Sequence, residues 1–182
     1  MTIQFQRYDR IASLLHWLTG LALLAQIAFG FLLDEIAPRG TPARAGAINL
    51  HKSLGIALAV LIVLRVAWRL RHRPPTWPAS MSAWQGRAAR IGHSALYVCM
   101  IAMPVSGYIA SNFSKHGVKL FGLALRPWGP DLPTVYAAFN LLHVSTAWIF
   151  TGLIAGHVLL AANHALIERN GFLARIAPWG AR

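Results

Sequence analysis

Apolar residues collect in four long blocks along this chain, running approximately from Ala12 to Leu33, Leu50 to Leu70, Ile91 to Phe113 and Ala138 to Ile167. Each exceeds the roughly 18 residues that a helix needs to cross a hydrocarbon layer about 30 Å thick. The segments between them carry the punctuation that ends helices. The second connection, RHRPPTWPASMSAWQG, opens on Pro74 and Pro75 and offers Trp77 and Trp84 to a headgroup layer. The third, KHGVKLFGLALRPWGPDLP, reads as the longest and most irregular, with Pro127, Pro130 and Pro133 around an apolar centre suited to a membrane surface. Pro104, followed by Gly107, predicts a kink or loosened turn in the third block. The pattern predicts an all-α, integral membrane four-helix bundle, with residues 1–182 forming a single domain and no internal repeat.

Composition agrees with that pattern. Of 182 residues, 56% are hydrophobic and only 12% charged, too apolar for a soluble core of this size to hide. The first block follows Arg7 and Arg10 but is too long for a signal peptide and lacks an Ala-x-Ala-like cleavage site, so it is read as a retained helix. The lone Cys99 is a packing residue, and no Cys-x-x-Cys-His motif exists for covalent haem attachment.

The formal charge of +12 is dispersed over the interfaces, which disfavours nucleic acid and favours anionic lipid headgroups as partners. Arg7, Arg10, Arg69, Arg71, Arg73, Arg87, Arg90, Arg169, Arg175 and Arg182 fall on one side of the bundle. Arg39, Arg44, Lys52, Lys115, Lys119 and Arg126 fall on the other. That bias predicts both termini in the cytoplasm.

Histidines inside such blocks are costly and are functional-site candidates. His143 and His157 lie fourteen residues apart, an advance of about 21 Å with only about 40° between the side chains. They therefore look out of one face near opposite interfaces. His16 starts the first helix and His51 the second, and the alternation of helix direction puts His157 level with His16 and His143 level with His51. Two imidazole pairs at two depths suit haem iron held between facing helices. With both axial positions filled, electron transfer is the natural chemistry and oxygen binding is not.

Gly30, fourteen residues after His16, makes room for a porphyrin edge or simply packs. Arg65, fourteen after His51, bonds a haem propionate or a quinone oxygen, or snorkels to the surface. His164, seven after His157, faces a quinone carbonyl or a propionate, or is an interfacial side chain. His93 reads as structural, and His72 and His116 as solvated loop residues.

LLHW in the first span, NLHKSLG and VLRVAWRLRHRPP at the ends of the second, GHSALYVCMIAMPVSGY in the third and LLH…AGH in the fourth together resemble a bacterial cytochrome b561 of the small four-helix di-haem type. The resemblance covers nearly the whole chain. It implies two haem b groups, with His16 and His157 holding the cytoplasmic iron and His51 and His143 the periplasmic one. It also implies a multi-pass protein of the inner membrane that exchanges electrons with ubiquinone and, as in characterised relatives, oxidises superoxide at the periplasmic side. The third connection does not match residue by residue.

The leading expectation is thus a superoxide:ubiquinone oxidoreductase. Its rivals are a haem-b anchor passing electrons for a dehydrogenase, hydrogenase or soluble cytochrome within a larger respiratory complex, and a haem-free bundle whose histidines bind a metal or pack.

Overall fold

The computed structural model describes residues 6–77 and 81–177. Its frame is four long apolar helices, each able to cross a membrane by length and composition: α1 (Arg10–Phe31), α3 (Ala43–Arg71), α4 (Ala83–Asn112) and α5 (Pro133–Ala162). A single turn, α2 (Leu33–Ile36), links α1 to α3. In hydrocarbon every backbone polar group must be satisfied within the chain, and the helix does this segment by segment. Large apolar side chains such as Val63, Val98, Trp148 and Leu159 point outward, more than 60% exposed, which is a surface made for lipid.

Three helices begin before the apolar blocks that announce them. α3 starts at Ala43, ahead of Leu50, α4 at Ala83, ahead of Ile91, and α5 at Pro133, ahead of Ala138. Caps and prolines, which hydropathy does not register, mark these starts, α3 following Pro42 without a side-chain cap. Ser82 and Gln85 form a reciprocal capping box before α4, and Pro133 occupies the first turn of α5, where a missing N–H costs nothing. The first block ends early, at Phe31, because the chain turns into α2. Beyond Ala162 the last helix widens into a π-helical turn, Asn163–Ile167.

The third connection is more ordered than its composition suggests. Strands β1 (Val118–Leu120) and β2 (Leu123–Leu125) pair antiparallel, Lys119 opposite Ala124. The two residues between them, Phe121 and Gly122, both have positive φ, 46° and 96°, the requirement of a tight primed hairpin turn. The hairpin is fastened to α3. Ser53 Oγ accepts from Phe121 N at 2.9 Å and lies 2.9 Å from Lys119 O, while Lys52 Nζ donates to Gly117 O at 2.8 Å.

On the opposite side, three chain segments meet. Arg175, buried, donates to Gln6 O at 3.0 Å and to Thr76 O at 2.7 Å, and Tyr8 N donates to Arg175 O. Both described ends of the chain and the second connection therefore share one side, called here the terminal side, opposite the hairpin side. Arg182 lies outside the described residues.

Candidate functional site

Each spanning helix carries a pair of residues fourteen apart: His16 and Gly30 on α1, His51 and Arg65 on α3, His93 and Gly107 on α4, His143 and His157 on α5. The fold stacks them into two layers, one residue from every helix in each.

On the terminal side, the His16 and His157 ring centroids are 6.3 Å apart, and His93 sits 5.4 Å from His157. Arg65 Nη2 donates to His16 Nδ1 at 3.0 Å, and its guanidinium lies over the Tyr97 ring, 5.5 Å from the centroid. On the hairpin side, His51 and His143 centroids are 6.5 Å apart. Glycine backs each of these rings: a Cβ on Gly30 would stand 3.1 Å from His51 Cε1, and one on Gly107 only 3.0 Å from His143. Gly30 thus makes room for an imidazole ring. Midway, seven residues from either layer, Leu23, Leu58, Met100 and Phe150 belong to one buried cluster with Ile62 and Cys99.

The donor set fits haem. Metal–imidazole bonds of roughly 2 Å, with the ring radius added on each side, put two axial imidazole centroids about 6 Å apart, close to both observed separations. Among the described residues no three His, Cys, Asp or Glu side chains converge to hold a bare ion. The hairpin-side level instead offers two facing imidazoles and the terminal-side level three, donors that would suit a haem iron. An apolar cleft of about 290 Å³ opens between α1 and α5, lined by Leu24, Ile27, Thr151, Ile154, Ala155 and Val158.

Hydrogen bonding sets the rings differently at the two levels. His143 Nδ1 is 2.9 Å from Met103 O, with Ser106 Oγ 3.2 Å away. A carbonyl only accepts, so Nδ1 carries the proton and Nε2 keeps its lone pair, the state an axial ligand needs. Gln26 Nε2 donates to His51 O at 2.7 Å and lies 3.2 Å from its Nδ1. At His16 the guanidinium of Arg65 occupies Nδ1 and has no lone pair to offer in return.

Sequence reasoning left His93, Gly107, Gln26 and Ser106 out of the site. The signal for the first two was present: the fourteen-residue spacing that links His16 to Gly30 also links His93 to Gly107. His164 lies elsewhere. Its Nδ1 is 2.8 Å from Glu168 Oε2 and from Asn170 Nδ2, and its ring packs on Phe172 at the end of the bundle. His72 stacks on Trp68, and His116 is exposed beside the hairpin.

Comparison with known proteins places residues 7–179 within the family model described as prokaryotic cytochrome b561. The chain is 31% identical to cytochrome b561 homolog 2 of Escherichia coli (strain K12), with 94% of this chain and 91% of that protein aligned. It is 26% identical to cytochrome b561 homolog 1 of the same organism, over 94% and 97% of the two chains. It is 28% identical to the probable superoxide oxidase CybB of Yersinia pestis, over 95% and 97%.

Proposed function

The chain belongs to the prokaryotic cytochrome b561 family, and from that premise we propose that it oxidises superoxide on the hairpin side and delivers the electrons to ubiquinone through two haem b groups. Family membership makes it a haem-b, multi-pass electron-transfer protein of the bacterial inner membrane. The proposal adds the number of haems, their ligands, the substrates and an orientation with both termini in the cytoplasm.

The observation that carries it is the pair of imidazole couples at two depths, 6.3 Å and 6.5 Å between centroids, with α5 contributing to both. His16 and His157 hold one iron and His51 and His143 the other. When bound, the haems supply one-electron redox chemistry at two levels of the membrane. For His16 to bind through Nε2 as a neutral imidazole, its Nδ1 must carry the proton, so Arg65 has to release that nitrogen. The freed guanidinium, half-buried and with no carboxylate of this chain within salt-bridge distance among the described residues, is then the partner for a haem propionate. Gly30 and Gly107 leave the space in which the His51 and His143 rings stand. The role read for His164, a contact to a quinone carbonyl or a propionate, would fall to its other ring nitrogen, since Nδ1 meets Glu168 and Asn170.

With two imidazoles holding each iron, superoxide would give up its electron without binding the metal. Two superoxide anions become two dioxygen molecules, and two electrons with two protons convert ubiquinone to ubiquinol. Lys115, Lys119 and Arg126 are exposed on the hairpin side, and none lies within salt-bridge distance of a carboxylate among the described residues. They attract a small anion. The same cations suit an acidic redox protein, which is the second reading: a carrier subunit with no substrate of its own.

Superoxide added to the oxidised protein in detergent, with a ubiquinone analogue and no other protein, separates the two. Haem reduction faster than spontaneous dismutation is expected; its absence points to the carrier. His143→Ala and His157→Ala are each expected to lose one haem equivalent by reduced b-type absorbance, and retention of both would refute the ligand assignment.

A further inference from the structure

A second concavity opens sideways between α3 and α4, and one of its lining residues, His93, borders the terminal-side layer, its ring 5.4 Å from that of His157. It measures about 330 Å³ and is lined by Val66, Arg69 and Leu70 of α3 and by Arg90, His93, Ser94, Tyr97 and Ile101 of α4. The spacings 66, 69, 70 and 90, 93, 94, 97, 101 are each one stripe of a helix, so two facing stripes make a groove. The stripe from Arg90 to Ile101 is about 16 Å long at 1.5 Å per residue. One leaflet of hydrocarbon is about 15 Å deep, half of the roughly 30 Å core.

The groove is polar at one end and apolar at the other. Arg69 and Arg90, both exposed, mark the end nearest the helix termini, and Val66, Leu70 and Ile101 line the apolar walls. Arg69 Nη1 reaches Tyr8 OH at 3.4 Å and its guanidinium lies over the Tyr8 ring. Neither arginine lies within 4 Å of a carboxylate among the described residues. Two guanidiniums near the helix termini, without a carboxylate partner among the described residues, above a groove walled by Val66, Leu70 and Ile101 and edged by His93, Ser94 and Tyr97, match an amphiphile with an anionic head.

We propose that the α3/α4 groove is a binding site for one anionic phospholipid, its phosphate on Arg69 and Arg90 and an acyl chain along Val66, Leu70 and Ile101. A quinone matches less well, because its carbonyl oxygens accept hydrogen bonds but bring no negative charge to two guanidiniums. This proposal concerns a different ligand from the superoxide reading, although His93 and Tyr97 in the groove adjoin His157 and Arg65 of the terminal-side layer.

Native mass spectrometry of the haem-loaded protein, released from nanodiscs of phosphatidylcholine doped with phosphatidylglycerol, tests it. The wild-type protein is expected to keep one phosphatidylglycerol in preference to phosphatidylcholine. The double variant Arg69→Gln/Arg90→Gln is expected to lose that preference by about tenfold or more, each cation contributing roughly equally near an anionic headgroup. Ile101→Trp, which fills the apolar end of the groove and leaves both arginines, is expected to evict the lipid as well. Arg73→Gln/Arg87→Gln, outside the groove, is expected to change nothing. Equal retention by the first double variant and the wild type overturns the proposal. So does loss of a haem equivalent from that variant, because the two guanidiniums would then be serving a haem carboxylate.

Discussion

Gly107 illustrates how much a single absent side chain decides. Its Cα faces the imidazole of His143 so closely that a methyl group would stand 3.0 Å from both Cε1 and Nδ1, tighter than ordinary contact. The same Nδ1 is held by Met103 O, so the ring cannot withdraw without losing that bond. Gly107→Ala is therefore expected to weaken haem binding at the hairpin-side level by about 10–100-fold, as losses around a ligand's supporting bonds do. Haem stoichiometry and the reduced spectrum measure it, with the terminal-side haem retained as the internal reference. Unaltered occupancy of both levels would mean that the ring is not fixed there. Asp9 makes a different point. Partial burial opposes ionisation of its carboxyl, but hydrogen bonds from Ala12 N and Trp68 Nε1 outweigh that and hold its pKa below the ordinary 3.8. A depressed carboxylate pKa stabilises the fold above the ordinary value and stops doing so as pH falls through the lowered one. The melting temperature of Asp9→Asn is expected to lie below that of the wild type at pH 6, and the gap to shrink steadily below about pH 4. A gap that persists unchanged at pH 2 would mean that the carboxylate charge is not what stabilises the cap.

At the scale of elements, the hairpin and α3 act as one unit because the Ser53 hydroxyl and the Lys52 ammonium join them. Ser53 Oγ takes the Phe121 N–H at the turn and lies against Lys119 O, two residues beyond His51 on the same helix. Removing that oxygen leaves a turn N–H without its acceptor, a loss of about 1 kcal/mol for a part-buried bond. Ser53→Ala is expected to raise amide hydrogen exchange across residues 118–125 by roughly fivefold, since about 1.4 kcal/mol is a factor of ten. Exchange equal to wild type would show that Lys52 and Gly117 alone fasten the hairpin. α5 is the element that relates the two levels to each other. Its fourteen-residue interval places His143 and His157 about 21 Å apart along the axis, and Phe150, at the midpoint and 1% exposed, sits in the apolar layer between them. The other helices repeat the interval with different residue types, so the layers align while their chemistry differs. Two glycines and two imidazoles form one layer; three imidazoles and an arginine form the other.

At the scale of the molecule, the two ends of the bundle carry unlike charge arrangements. On the hairpin side Asp34 is neutralised by Arg44 at 2.6 Å and faces Arg39, which leaves Lys115, Lys119 and Arg126 to outweigh Glu35 and Asp131 in the local field. Steering by such a field changes association rates by about 10- to 1000-fold and is screened over roughly 10 Å at 0.1 M salt. Lys115→Glu/Lys119→Glu is expected to slow haem reduction by superoxide about tenfold at low ionic strength and to flatten its salt dependence. Stopped-flow traces at several salt concentrations test this, and an unchanged rate would move the entry point away from the hairpin. The terminal side is closed by Arg175, whose guanidinium bridges Gln6 O and Thr76 O, and by Trp17, whose Nε1 donates to Ile176 O at 3.0 Å. The tail is thereby seated next to His16.

The number of spanning helices was legible in the sequence because the hydrocarbon demands length and apolarity, and both are properties of consecutive residues. So were the two histidine levels on α5, since a spacing of fourteen fixes depth and face on any straight helix. The helix starts at Ala43, Ala83 and Pro133 were not legible from hydropathy, because caps and prolines govern them outside the hydrocarbon. Nor was the hairpin, whose stability comes from Ser53 and Lys52, more than sixty residues earlier in the chain. Which helix faces which is decided only by packing, and that is why His93 beside His157, Gly107 behind His143 and Arg65 on His16 emerged from the tertiary structure. Periodicity states the direction in which a side chain points; the neighbouring helix determines what it meets there.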